Sequence, residues 1–181
     1  SFVFGSSDDE LTEESPARPV NVYGLTKLQA ESYITENHDD YLILRIDQPF
    51  YWPEPWQKQN MLTWTLEKLK QGKPFDVFTD WYNQPTYLPD FYRISKILMD
   101  KGQKGIFHCL GRERISRFDW ARKIAHVFDY DSGLVRQGSY AEIDAPSIRP
   151  SITLNCEKVR KATGYYPLSL DDSLRELKQL H

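Results

Sequence analysis

The chain has 181 residues, 40% of them hydrophobic and 27% charged, a size and balance that provide one globular core and exclude wholesale disorder. Lys plus Arg number 23 against 26 Asp plus Glu, a net charge of −3 with no basic run, which excludes nucleic-acid binding driven by bulk charge. No apolar stretch reaches membrane-spanning length and Cys109 and Cys156 lack a CxxC, leaving a soluble cytoplasmic domain without disulfide framework or zinc site as the expectation.

The opening Ser1-Phe2-Val3-Phe4-Gly5 reads as a short buried strand ending in a turn. Such a strand needs backbone partners on both sides, so the chain is expected to be a fragment of a longer parent. Residues 5–21, polar and acidic with Pro16 and Pro19, read as a loop. From Asn21, a plausible N-cap, to Asn37 the pattern is helical, and Tyr41 to Ile46 is a strand. A loop rich in Pro and Trp follows, then a helix with Leu62, Leu66 and Leu69 on one face that stops at Gly72. Phe75 to Thr79 reads as a strand, Tyr82 to Pro89 as a loop, and Asp90 as the cap of a helix ended by Gly102. Gly105 to Leu110 is a further strand, and Ser116 with Asp119 makes an acidic capping box for the next helix. After a loop to Pro150 come a brief strand at Ile152 to Leu154, a short helix from Asn155 to Gly164, and a last helix capped by Ser169. Strands alternate with helices, which predicts an α/β fold with mostly parallel pairing.

Tyr23 and Lys27 stand four apart, on one face of the first helix. A phenol, with a reference pKa of about 10, becomes a usable proton donor or acceptor when an ammonium is held beside it. The same lysine has three donors for ribose hydroxyls. Taken alone, such a spacing is also that of an ordinary surface pair.

The surrounding Pro19-Val20-Asn21-Val22-Tyr23-Gly24-Leu25-Thr26-Lys27-Leu28-Gln29-Ala30-Glu31 resembles the active-site helix of extended short-chain dehydrogenases/reductases, and most closely the dTDP-4-dehydrorhamnose reductase family. Further segments agree in order: Phe2 to Gly5, Leu42 to Arg45, Asp80 to Thr86, Gly105 to His108, and Arg149-Pro150 ahead of Leu154-Asn155. The resemblance implies the C-terminal part of a Rossmann-like parallel sheet plus a small α/β substrate-binding domain. Residues 1–48 would be what remains of the Rossmann part, and residues 49–181 mainly the substrate part, with a segment of about 72–102 returning to the Rossmann sheet. It also implies NADP or NAD as cofactor and a nucleotide-sugar ketone as substrate, with Tyr23 donating the proton and Lys27 tuning it and gripping the nicotinamide ribose.

Departures accompany the likeness. The family's glycine-rich turn and catalytic Ser/Thr would fall upstream of Ser1, so this chain alone is expected to be inactive. It is also expected to associate, as a homo-oligomer or with a complementary N-terminal fragment. Ser1 matches a position that is usually Asp, and Gln48 stands where those reductases have a substrate-contacting Trp. Arg45 and Gln48 are candidates for the cofactor side, and Ser1, Gln48, Trp52 and Arg149 for the substrate side. Arg45 and Arg149 read either as oxyanion grips or as structural ion pairs. Tyr51, Trp52 and Trp56 read either as stacking platforms or as packing residues. His108 reads as a satisfied core histidine, and the cluster Asp8, Asp9, Glu10, Glu13 and Glu14 as a solvated loop, with a divalent-ion site the alternative. A second functional reading stays open, because the regulatory β subunit of methionine adenosyltransferase resembles the same family; such a protein holds a partner instead of reducing a sugar.

Overall fold

A computed structural model describes residues 1–7, 9–143 and 149–180. It is an α/β fold in which four of five strand pairs are parallel. Strand β1 (Glu10–Leu11) precedes helix α1 (Val22–Asn37), β2 (Leu42–Arg45), β3 (Pro49–Phe50) and α2 (Met61–Lys70). Then come β4 (Phe75–Phe78), β5 (Tyr82–Asn83), β6 (Thr86–Tyr87), α3 (Leu88–Asp100) and β7 (Gly105–His108). The remainder is β8 (Ile115–Ser116), α4 (Arg117–Val127), β9 (Val135–Gly138), β10 (Thr153–Leu154), α5 (Glu157–Thr163) and α6 (Leu170–Gln179).

The side chains gather into two cores. One holds Val3, Phe4, Ile94, Leu98, Phe107, Leu154 and Val159 around the parallel pair β2–β7. The other packs α2, α4 and α6 through Leu62, Leu66, Trp120, Ile124, Leu174 and Leu177. The stripe expected on the second helix is therefore the face that buries. Of the segment 72–102, helix α3 lends Ile94 and Leu98 to the first core, whereas β4 pairs with β9 and lends Val77 to the second. Strand β7 pairs with β2, and β10 with β1.

Other local expectations change. Ser1 to Gly5 is a turn, with the Phe4 N–H donating to the Ser1 carbonyl; Val3 and Phe4 still bury. No strand among the described residues pairs with that segment; besides the internal bond, its Ser1 amino group donates to the Ile46 carbonyl at 2.8 Å. Asp90 is no cap, since α3 begins two residues earlier. Its buried carboxylate instead accepts from the Tyr165 hydroxyl at 2.6 Å and the Leu168 N–H at 2.7 Å, tying the C-terminal segment to α3. The short strands β1, β3, β5, β6 and β9 lie in stretches read as loops, because paired segments of two to four residues leave little periodicity to detect.

Helix α1 buries one residue, Gly24, so its position rests on few contacts. The Asn21 side chain accepts from the Gly24 N–H at 2.7 Å and caps the helix. A Cβ on Gly24 would collide with the Phe2 carbonyl oxygen. Two turns on, Glu31 forms an ion pair with buried Arg45, at 2.7 Å from Nη2 and 3.0 Å from Nε. Arg45 Nη1 also lies 3.3 Å from Nε2 of fully buried His108, whose Nδ1 is 3.1 Å from the Asn155 carbonyl. With Nδ1 protonated, both contacts are satisfied, which is the arrangement of a neutral core histidine.

Two expectations test this framework. Gly24→Ala should lower stability by about 1–3 kcal/mol despite alanine's higher helix propensity, and an unchanged urea midpoint would show that the backbone contact yields freely. Burial, reinforced by the Arg45 charge, pushes the His108 imidazole down to about 3. The unfolded chain then takes up a proton near about 6.5 that the folded chain refuses, so stability is full above that pH and declines as pH falls toward 3. Urea midpoints between about pH 7.5 and 4 should fall accordingly, and His108→Gln should flatten the slope; an equal slope in the variant would place the acid sensitivity elsewhere.

Candidate functional site

The turn at Phe2, the first two turns of α1 and the end of β2 enclose a cleft of about 510 Å³. Tyr23, Lys27, Ser1, Arg45 and Gln48 all line it. Tyr23 is 57% exposed, its ring set edge-on against Phe2 with centroids 5.3 Å apart. Lys27 Nζ lies 5.2 Å from the centre of the Tyr23 ring. The helical spacing thus places phenol and ammonium together on an open wall.

The remaining members of the cleft differ in their freedom. Arg45 is committed to Glu31 and His108, so its guanidinium serves the framework. Ser1 donates its hydroxyl to Asp47 Oδ1 at 2.7 Å. Asp47 is buried and also accepts from the Gln84 N–H at 2.9 Å and Asn83 Nδ2 at 3.3 Å, while its own N–H donates to Thr86 Oγ1. That carboxylate binds the end of β2 to the β5–β6 segment. Gln48, the next residue, has a left-handed φ of 39°.

Gln48 also lines a second cleft of about 590 Å³, built by α2, β4, the Trp81 loop, Tyr140 and Arg149. Trp81 stands at its centre. The Arg117 guanidinium stacks on it at 4.1 Å and the Arg149 guanidinium at 4.9 Å. Tyr140 meets Trp81 at 5.6 Å and Phe78 at 5.5 Å, while the exposed Asp80 carboxylate accepts from the Tyr140 N–H at 2.6 Å and the Ser139 hydroxyl at 2.6 Å. These bonds hold Asp80 below the usual carboxylate range, though its partial burial opposes them. Neither Arg117 nor Arg149 has a carboxylate in ion-pair range among the described residues. Arg117 is 9% exposed, its Nε is buried without a partner, and burial pushes its guanidinium down to about 10. Asp47 is the opposing charge felt by Arg117, and its attraction outweighs the repulsion from Arg149, so the two guanidiniums share the indole face without a direct carboxylate contact among the described residues.

Arg149 thus lines the second cleft, stacked on Trp81. Trp52 does not: its Nε1 donates to the Leu177 carbonyl at 3.0 Å and its ring packs on Phe128, outside both clefts. Tyr51 lies against the second core and Trp56 projects outside both clefts. Glu13 accepts from the His108 N–H at 2.8 Å and Glu10 from Asn155 Nδ2 at 3.0 Å. Asp8 lies outside the described residues, and among those described no group of three His, Cys, Asp or Glu could hold a metal. No described helix is long and apolar enough to cross a membrane. Sequence reasoning missed Trp81, Arg117 and Tyr140 as cleft residues. One signal was available, because Arg117 follows its cap Ser116 directly, at a helix N-terminus whose dipole disfavours a cation.

Known proteins resemble this chain in sequence and in fold. The dTDP-4-dehydrorhamnose reductase of Mycolicibacterium smegmatis is 29% identical over 171 residues, 92% of this chain and 51% of that protein. The methionine adenosyltransferase 2 subunit beta of Rattus norvegicus is 26% identical over 165 residues, 87% of this chain and 49% of that protein. A dTDP-4-dehydrorhamnose reductase from Bacillus anthracis, solved in complex with NADP, superimposes with a TM-score of 0.90 at 22% identity, covering 99% of this chain and 63% of that one. The chain spans about half the length of the two curated relatives. With the RmlD substrate binding domain matching residues 1–180, the chain belongs to that family.

Proposed function

We propose that this chain carries the proton donor and the substrate-holding part of an NAD(P)H-dependent reductase acting on the 4-keto group of a nucleotide-linked deoxysugar. The observation that supports it most is the pair of joined clefts. One is walled by Tyr23 and Lys27, the other by two arginines stacked on Trp81, and Gln48 is common to both. Both volumes lie in the ordinary range for small-molecule sites, about 300–1,000 Å³.

The exposed face of Tyr23 and Lys27 fits a nicotinamide and its ribose, with an open wall and free donors. Nicotinamide, when bound, supplies the hydride to the carbonyl carbon. Tyr23 passes its hydroxyl proton to the carbonyl oxygen, completing an alcohol. Lys27 hydrogen-bonds the ribose and keeps positive charge beside the phenol as the proton leaves. Arg45 holds the helix in place and makes no contact of its own with the reactants. Across Gln48, Arg117 and Arg149 take the diphosphate, while Trp81 and Tyr140 offer faces to the base or sugar.

The likeness to a methionine adenosyltransferase subunit supports a second reading, in which the same fold holds a protein partner without catalysis. Turnover separates the two. The full-length protein should consume NADH or NADPH with dTDP-4-keto-6-deoxyhexoses; Tyr23→Phe should lower kcat by about 10²–10⁴-fold, and Lys27→Met should lower kcat and raise the KM for the cofactor. Absence of turnover with every nucleotide-sugar ketone tried, together with tight capture of a protein partner, favours the second reading. Arg117→Met should weaken binding of dTDP to the full-length protein by about 10–100-fold with little loss of kcat, as expected for a charged contact made equally in ground and transition states. Unchanged dTDP affinity would remove Arg117 from the substrate side.

A further inference from the structure

Gln48 combines three features that occur together nowhere else among the described residues. Its φ of 39° is left-handed although it has a side chain and precedes Pro49, a combination disfavoured by its Cβ and by the proline ring. The backbone is held there from both sides. Asp47 is fixed by bonds to Ser1, Asn83, Gln84 and Thr86, and Pro49 begins β3, which pairs with β6. The half-buried side chain lines both clefts, yet its carboxamide makes no hydrogen bond among the described residues. The strain therefore secures no internal contact and aims an amide, with one acceptor and two donors, into the passage between the proton donor and the arginines.

On the reductase reading, the sugar ring must occupy that passage, with its carbonyl toward Tyr23 and its diphosphate toward Arg117 and Arg149. We propose that Gln48 is a specificity-determining residue whose carboxamide hydrogen-bonds the hydroxyl on the carbon next to the reacting carbonyl. The protein then selects 4-keto hexoses that keep their 3-hydroxyl over 3-deoxy analogues. An amide suits this task because it can donate to the hydroxyl oxygen or accept its proton. With the 3-deoxy analogue that amide is left desolvated and unpaired.

The experiment compares kcat/KM of the full-length protein for dTDP-4-keto-6-deoxyglucose and for its 3-deoxy analogue. The wild type should favour the hydroxylated sugar on the order of 10–100-fold, and Gln48→Leu should bring the ratio to within about 3-fold. Gln48→Gly, which suits the left-handed backbone, should abolish the preference in the same way while raising the thermal midpoint; it guards against a leucine variant that folds poorly. A wild-type ratio near one, or a preference that survives both substitutions, overturns the proposal while leaving the reductase reading in place. Binding of dTDP without reduction of either sugar overturns both.

Discussion

The ion pair between Arg45 and Glu31 is the contact on which the candidate site depends. Helix α1 carries Tyr23 and Lys27 yet buries only Gly24, so ordinary core packing does little to hold it. Glu31 reaches the end of β2, where the guanidinium is trapped between the helix, the Phe4 ring at 5.0 Å and His108. Removing one member of such a buried pair costs about 3–5 kcal/mol, because the other charge stays behind unpaired. The geometry of an exposed phenol and ammonium is thus set by a charge pair two turns away.

A second buried charge performs the same task between the cores. Asp47 accepts hydrogen bonds from Ser1, Asn83 and Gln84, residues spread over the chain. Those bonds place the β5–β6 segment against the end of β2 and so fix the spacing of the two clefts. Hydrophobic burial forms each core; Asp47 registers one against the other, while Glu31 fixes helix α1 beside the first. The division is physically sensible, since apolar contact is non-directional and a hydrogen-bonded carboxylate is not.

Much of this was legible in the sequence wherever the signal was periodic or local. The stripe Leu62, Leu66, Leu69, the caps Asn21, Ser116 and Ser169, and the Tyr23–Lys27 spacing each follow from helical geometry. Short strands such as β5 and β6 escaped, because two residues do not define an alternation. Asp90 looked like a cap because it is an acid at a helix start, but its carboxylate is buried and serves Tyr165 and Leu168 from distant sequence. Trp52 was a candidate by residue type alone, and packing claimed it. The Trp81–Arg117–Arg149 arrangement joins three loops or helix ends far apart in the chain, which spacing arguments cannot bring together.

Stacking Arg117 and Arg149 on one indole carries a thermodynamic corollary. Two cations held close repel, and Asp47, though it offsets the charge on Arg117, makes no ion pair with either among the described residues. Any anion that settles between them relieves this repulsion and is held only by the native chain. Occupancy and resistance to unfolding then become one quantity read in two ways, since any ligand that the native cleft alone holds raises the melting point with its own saturation.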